Sequence, residues 1–446
     1  MLKYIKVFFL LMAAFLVFAT LSWLLPDIPI RKHIDKTLQR SDLFLLYPEA
    51  LAPEQQCRQD NFTDALILNQ CYCNDRHDWI QSVLLLPSAY PKDSKFPNDG
   101  LLYLSNGGKM EQAPLYFYPR YWHGSTFLMR FLLLLAPYSN LRFFLLAISL
   151  FLMMLLCARL YLLRGWMPVA VLAVTAALMR IPIIQCSIQF FPVLFIALLT
   201  ALLLCNSHER WRTPSQATFL LFVAGALTAY FDLLTTPVLT LGLPLCILLL
   251  LRRDEAVSLA LELWLMVRAS LLWAVGYGAT WVSKWILGTL LTPMNVWKDG
   301  IGQFLYRSSD TADYTRWEAM LANTDLIDWP WWLTMLIVLG VLLTLQRLRK
   351  KRLSTPLPSS QSEAQQAPSS LSPSSSRIAL RTAIPLLLVA LFPLAWYLVV
   401  SNHSFIHNWF TFRLLWILLI AIPFALLQFF PNAFHPSGGF VKSSQS

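Results

Sequence analysis

Charged side chains are scarce in this chain of 446 residues: Lys, Arg, Asp and Glu make up 13%, against 57% hydrophobic residues. A soluble domain carries roughly a quarter charged residues, so the deficit excludes an ordinary soluble fold and points to lipid as the solvent. Mean hydropathy is +0.54. The alternating segments of about ten residues that mark a transmembrane barrel are missing from the sequence. Cys71-Tyr72-Cys73 is followed by no His or Cys pair at zinc-ligand spacing. His403 and His407 stand four apart but lack the glutamate of a zinc-protease helix. No small-residue cleavage site follows the first apolar run, Val7 to Leu25, so it reads as a retained span and not a signal peptide. No internal repeat is visible.

What the chain does have is a series of apolar runs, several near the roughly 20 residues needed to cross a hydrocarbon core of about 30 Å. The expected fold is an all-α polytopic transmembrane helical bundle of about ten spans (about 9–12) with a long, partly helical first extracytoplasmic loop. Residues 1–25 form the first span and 26–124 the loop, too rich in aromatics and turn residues for a disordered linker. Residues 125–346 make a multi-span region. Within it, 125–137 is short enough to lie at the interface or re-enter, and 259–291 is interrupted by Arg268, Gly276, Gly278 and Lys284. A span is expected over 331–345. Residues 347–379 form a basic, Ser/Pro-rich flexible loop, 380–430 the last two spans, and 431–446 a tail.

The formal charge of +11 would suggest nucleic acid in a soluble protein. Here the cations cluster in short loops, which is how orientation is set. With the N-terminus inside, Arg159/Arg164, His208–Arg212, Arg252/Arg253 and Arg347–Arg352 all fall on the cytoplasmic side. Both termini are then cytoplasmic, and the chemically suggestive segments share the outer face.

Those segments carry the candidate residues. Asp60 and Asp64 share one face of a helix at this spacing. They read either as solvated carboxylates, one of them a cap of a helix starting near Asn61, or as a general base or a divalent-cation pair. Asp64, followed by Ala-Leu-Ile-Leu, is the better held of the two. In Arg120-Tyr121-Trp122-His123-Gly124, an interfacial aromatic belt accounts for Tyr121 and Trp122, while Arg120 with His123 suits a phosphate. Asp232 ends an apolar run with no adjacent cation. It is either a costly functional carboxylate or a cap ahead of Thr235-Thr236-Pro237. His403, His407 and Arg413 form a polar, aromatic outer segment able to contact a charged or hydroxylated ligand. Gln185, Ser187 and Gln189 read as interhelical hydrogen-bonding residues. Asn61-Phe62-Thr63 and Asn402-His403-Ser404 match glycosylation sequons, and one disulfide among Cys57, Cys71 and Cys73 suits an outer loop.

This pattern resembles the GT-C superfamily of membrane glycosyltransferases. Asp-Asn-Phe-Thr-Asp-Ala-Leu, Arg-Tyr-Trp-His-Gly, Tyr-Phe-Asp-Leu-Leu-Thr-Thr-Pro and His-Ser-Phe-Ile-His-Asn-Trp-Phe are similar to blocks of uncharacterised bacterial membrane proteins. The resemblance implies a bacterial plasma-membrane enzyme that inverts a sugar taken from a polyprenyl-phosphate donor. Asp64 or Asp60 would deprotonate the acceptor, and Arg120, His123 or Arg413 would neutralise the departing phosphate. Family carboxylates often follow the first span closely, whereas Asp60 lies well beyond Leu25, and the large soluble C-terminal domain of many members is missing here. A transporter, with ionisable residues deep in its spans at Arg268 or Lys284, and a non-catalytic envelope-assembly protein are the rival readings.

Overall fold

The computed structural model describes residues 2–39, 47, 55–74, 78–92, 94, 96–109, 112–181, 187–206, 212–309, 314–327, 340, 344 and 373–429, with side chains from 378 onward in the last segment. The expected span over 331–345, most of the Ser/Pro-rich loop, Gln185 and the C-terminal tail lie outside the described residues.

Helix dominates, as the apolar runs require. Among the described residues, six stretches are long and apolar enough to cross a membrane: α1 (Leu2–Trp23), α7 (Tyr138–Arg164), α10 (Pro214–Phe231), α12 (Leu259–Leu291), Ile378–Val399 and Asn408–Leu427. Three shorter apolar helices accompany them: α8 (Trp166–Leu178), α9 (Phe191–Leu204) and α11 (Leu239–Leu251). The chain is therefore an all-α, multi-pass membrane protein. Ile378–Val399 comprises most of α15 (Pro373–Val389) together with α16 (Phe392–Val399), and Asn408–Leu427 comprises α18 (Asn408–Thr411) and α19 (Leu415–Leu427). Against expectation, α12 runs unbroken through its glycines, while Ser187 and Gln189, expected between packed helices, precede α9, which starts at Phe191.

Burial sorts these helices. Every residue of α11 is buried, so it forms the axis of the bundle. By contrast α7 leaves Phe143, Phe151, Met154 and Leu162 exposed along one side, the apolar surface a lipid-facing helix presents. Helices α10 and α12 pack backbone to backbone: a Cβ on Gly225 would lie 2.2 Å from the Trp273 carbonyl oxygen, and one on Gly276 equally close to that of Phe222. Small residues at a crossing permit this approach.

The segments between α1 and α7 fold as a cap on one end of the bundle. They comprise α2 (Asp27–Leu38), α3 (Asn61–Tyr72), α4 (Trp79–Leu85), α5 (Pro97–Ser105), α6 (Gly124–Leu132) and an antiparallel hairpin of β1 (Pro87–Ala89) and β2 (Leu115–Phe117). Further along, α13 (Val296–Ser308), α14 (Arg316–Thr324) and α17 (Ser401–Ile406) join the same end. Arg130 of α6 is the knot. Its guanidinium pairs with Asp27 at 2.8 Å and donates to the carbonyls of Ser22, Leu25 and Cys71, closing the last turns of α1 and α3. Lys284 donates to Leu84 O at 2.7 Å, Trp122 Nε1 to Thr280 O and Trp285 Nε1 to Arg120 O, fastening the cap to α12.

The cysteines correct one expectation. Cys57, Cys71 and Cys73 are free, and each carries a hydrogen bond: Cys57 Sγ accepts from Arg180, Cys71 donates to Thr126 O and Cys73 to Asn69 Oδ1. The sequon asparagines Asn61 and Asn402 are buried, so neither is open to modification in the folded chain.

Replacing Arg130 by Met keeps the volume but removes the cation that pairs with Asp27 and the donors to three carbonyls. The expected loss is about 3–5 kcal/mol, the range for breaking a buried pair from one side. Thermal unfolding in detergent measures it, and a loss under about 1 kcal/mol would contradict the role given to this residue.

Candidate functional site

The site begins with the first turn of α3. Asp60 is its N-cap, accepting from Thr63 N at 2.9 Å and Thr63 Oγ1 at 2.8 Å. Its own amide donates to Ser187 Oγ, and Gln189 Nε2 donates to Asp60 Oδ2. One turn on, Asp64 accepts from Ile188 N at 2.9 Å and from the Tyr138 hydroxyl. The 187–189 segment, expected inside a span, is thus a turn ahead of α9 that receives both carboxylates.

A cavity of about 320 Å³ opens at this turn, within the size range of small-ligand sites. Asp60, Thr63, Gln189, Arg307, His403 and His407 supply its polar lining. The hairpin forms one wall: Ser88, Tyr90, Tyr116, Phe117 and Tyr118, along β1, β2 and their flanks, line it. Tyr47, Phe62, Trp409 and Phe410 add further rings. Arg307 reaches it from α13, its Nη1 lying 2.8 Å from His403 Nδ1. His403 Nε2 meets Leu234 O at 2.7 Å. A carbonyl only accepts, so Nε2 carries the proton and Nδ1 receives one from Arg307. His407 lies 4.6 Å from His403, ring centre to ring centre, and stacks on Phe410.

The geometry keeps Asp64 as the better held of the two carboxylates and puts Asp60, not Asp64, at the cavity. Asp60 borders the cavity; Asp64 is fully enclosed, with both oxygens occupied by protein donors. The remaining candidates separate likewise. Arg120 pairs with Asp299 at 3.1 Å and faces a neighbouring groove. His123, buried and left-handed at φ 58°, rests against Tyr118 O. Asp232 is a local cap, accepting from Thr235 N at 2.9 Å and from Thr235 Oγ1 at 2.5 Å. Arg413 is enclosed and donates to Trp409 O and Gln56 O, so it acts as a structural clamp. Tyr121 and Trp122 are packed inside the protein and form no interfacial belt. None of these six borders the cavity.

Sequence reasoning missed Arg307. It also missed a second feature, an aromatic groove of about 260 Å³ that shares Arg307 with the polar cavity. Trp273, Tyr277, Trp281 and Trp285 stand at four-residue intervals on α12, with successive ring centres 5.1, 5.3 and 5.9 Å apart. Phe304 and Trp396 close the other side. Arg307 Nε is buried and meets no acceptor among the described residues.

Burial sets the protonation of the acids. It raises the Asp60 carboxyl to about 6 despite the Thr63 and Gln189 hydrogen bonds, and the Asp64 carboxyl to about 7 despite Arg142 and Tyr138. His407 falls to about 4 and His123 to about 3, again chiefly through burial, so both are neutral near pH 7. The pair does not fit the divalent-cation expectation. Every Asp60 and Asp64 oxygen faces an N–H or O–H, and no group of three His, Cys, Asp or Glu stands together among the described residues. A cation favours several free oxygen ligands.

Because the folded chain holds these carboxyls protonated to higher pH than the unfolded chain does, stability is fully present below about 4 and declines as pH rises through about 6 to 7. Thermal unfolding from pH 5 to pH 8 is expected to show this fall, and Asp64→Asn to flatten it. An unchanged slope in the variant would contradict the assignment. No protein-family model, curated protein or solved structure matches this chain.

Proposed function

We propose that this chain is a GT-C-like membrane glycosyltransferase that moves a sugar from a polyprenyl-phosphate donor to a hydroxyl acceptor on the extracytoplasmic face. The observation that carries the reading is the position of Arg307. A fixed cation stands where a polar, aromatic-walled cavity meets an apolar groove, and lines both. A ligand with a sugar, a phosphate and a hydrocarbon chain has the same three-part order. The sugar fits against the Tyr and Trp rings of the cavity, the phosphate against the guanidinium, and the chain along the α12 ring ladder.

In the transfer, Asp60 takes the proton of the acceptor hydroxyl as its oxygen attacks the anomeric carbon. The bond from that carbon to the phosphate oxygen breaks, its electron pair leaves with the polyprenyl phosphate, and the anomeric configuration inverts. A carboxylate raised to about 6 is ionised at pH 7 yet more basic than a solvated aspartate, which suits a general base. Arg307 meets the charge that grows on the leaving phosphate. His403, a neutral acceptor, orients Arg307 without competing for that charge.

The basic clusters support an orientation with both termini cytoplasmic, and the reading takes about ten spans in a bacterial plasma membrane. The transporter reading finds less support. Lys284, its deepest candidate cation, is tied to Leu84 O at the cap and does not stand at a central site.

Envelope glycans and lipid-linked sugars compared between cells with and without the chain test the reading. Asp60→Asn and Arg307→Gln are each expected to lower transfer by at least about 100-fold, the scale of removing a base or a transition-state donor, with the chain still accumulating in the membrane. Full transfer by Asp60→Asn would overturn the base assignment. Unchanged glycans with altered solute uptake would favour the transporter.

A further inference from the structure

The hairpin beside the site has two edges, and the fold treats them differently. The pairs are Pro87↔Phe117, Ser88↔Tyr116 and Ala89↔Leu115. Tyr90 N donates to Pro114 O across the same ladder, so bonding pairs alternate from there and Ser88↔Tyr116 is the next. The backbone groups of Ala89 and of Leu115 and Phe117 therefore point away from the partner strand. At Ala89 that outward edge is closed. Asn69 Oδ1 accepts from Ala89 N at 3.0 Å and Asn69 Nδ2 donates to Ala89 O at 2.9 Å, one side chain standing in for a third strand. At β2 the edge is open: no bond to the outward groups of Leu115 or Phe117 occurs among the described residues, and Leu115, Tyr116 and Phe117 are 41%, 49% and 36% exposed.

An outward N–H and C=O at every second residue is matched by an extended backbone and by little else. We propose that the β2 edge binds an extended polypeptide by strand addition and, resting on the transferase reading, that the acceptor hydroxyl belongs to a Ser or Thr of that polypeptide. The register explains why this edge is the useful one. Tyr116 and Phe117 border the Asp60 cavity, and a residue laid opposite Tyr116 shares its face. Its side chain is then placed at the rim of the cavity, which Phe117 lines from the adjoining position. The edge offers bonding groups at two residues only, so the contact supplies register and orientation, with affinity completed by the exposed rings.

The test is binding, read without any transfer reaction. A fluorescein-labelled heptapeptide alternating Thr and Val is titrated into the full chain in lipid nanodiscs, beside the same peptide N-methylated at every amide. The unmodified peptide is expected to bind at least about tenfold more tightly, the value of one to two backbone hydrogen bonds. Leu115→Pro and Phe117→Pro remove outward N–H groups that β1 does not use, and each is expected to weaken binding by about the same factor. Equal affinity for the two peptides, or no binding of either, overturns the proposal. Selective binding by a chain that transfers no sugar would sustain it while removing the transferase reading. Transfer to a non-peptide hydroxyl without peptide binding would do the reverse.

Discussion

Two carboxylates at the start of α3 hold the cap to the bundle. Asp64 accepts from Ile188 N and the Tyr138 hydroxyl, and Asp60 is held by Ser187 and Gln189. One turn of helix thereby fixes the N-terminus of α7, the turn before α9 and the floor of the cavity at once. Burial makes these carboxylates expensive to ionise, so their hydrogen bonds are a condition of the fold as much as a feature of the site. The same groups serve both ends: Asp64 anchors, and Asp60, one turn earlier at the cap position, is left with an edge on the cavity.

Around that turn the chain sorts its polar residues by whether they find partners within the protein. Arg130, Arg413, Asp232 and His123 are each engaged by backbone groups, which is what burial demands of them. Arg307 differs from them by its place: it lines both the polar cavity and the aromatic groove, with a neutral histidine as its hydrogen-bond acceptor. Backbone strain gathers in the same region. Leu86, His123 and Leu234 have positive φ, and they precede β1, start α6 and present the carbonyl that meets His403. Residues in that conformation persist only where surrounding packing imposes it.

The membrane bundle was legible because hydropathy is a property of runs and survives ignorance of contacts. The 60/64 pair was legible from its spacing. Its division of labour was not, since α3 is buried on nearly every face and only the cap position distinguishes the two acids. Arg307 was overlooked because 292–328 reads as a polar connector. A signal was present: Asn295 caps a helix in which Trp297, Phe304 and Arg307 lie three or seven residues apart, on neighbouring faces. Arg120, His123, Asp232 and Arg413 looked functional because a polar residue beside lipid draws attention, yet each resolved into an ion pair, a cap or a carbonyl clamp. The α12 ring ladder was hidden for the opposite reason, since Trp and Tyr in a span read as ordinary membrane composition.

On the proposed reading, Arg307 is where a lipid phosphate and its chain meet. Photo-crosslinking the purified chain with a diazirine-bearing polyprenyl phosphate tests this directly. Label concentrated on Trp273–Trp285 and Phe304, and lost in Arg307→Gln, is the predicted result. Label spread evenly over the exposed face of α7, at Phe143 and Phe151, and indifferent to Arg307, would contradict it.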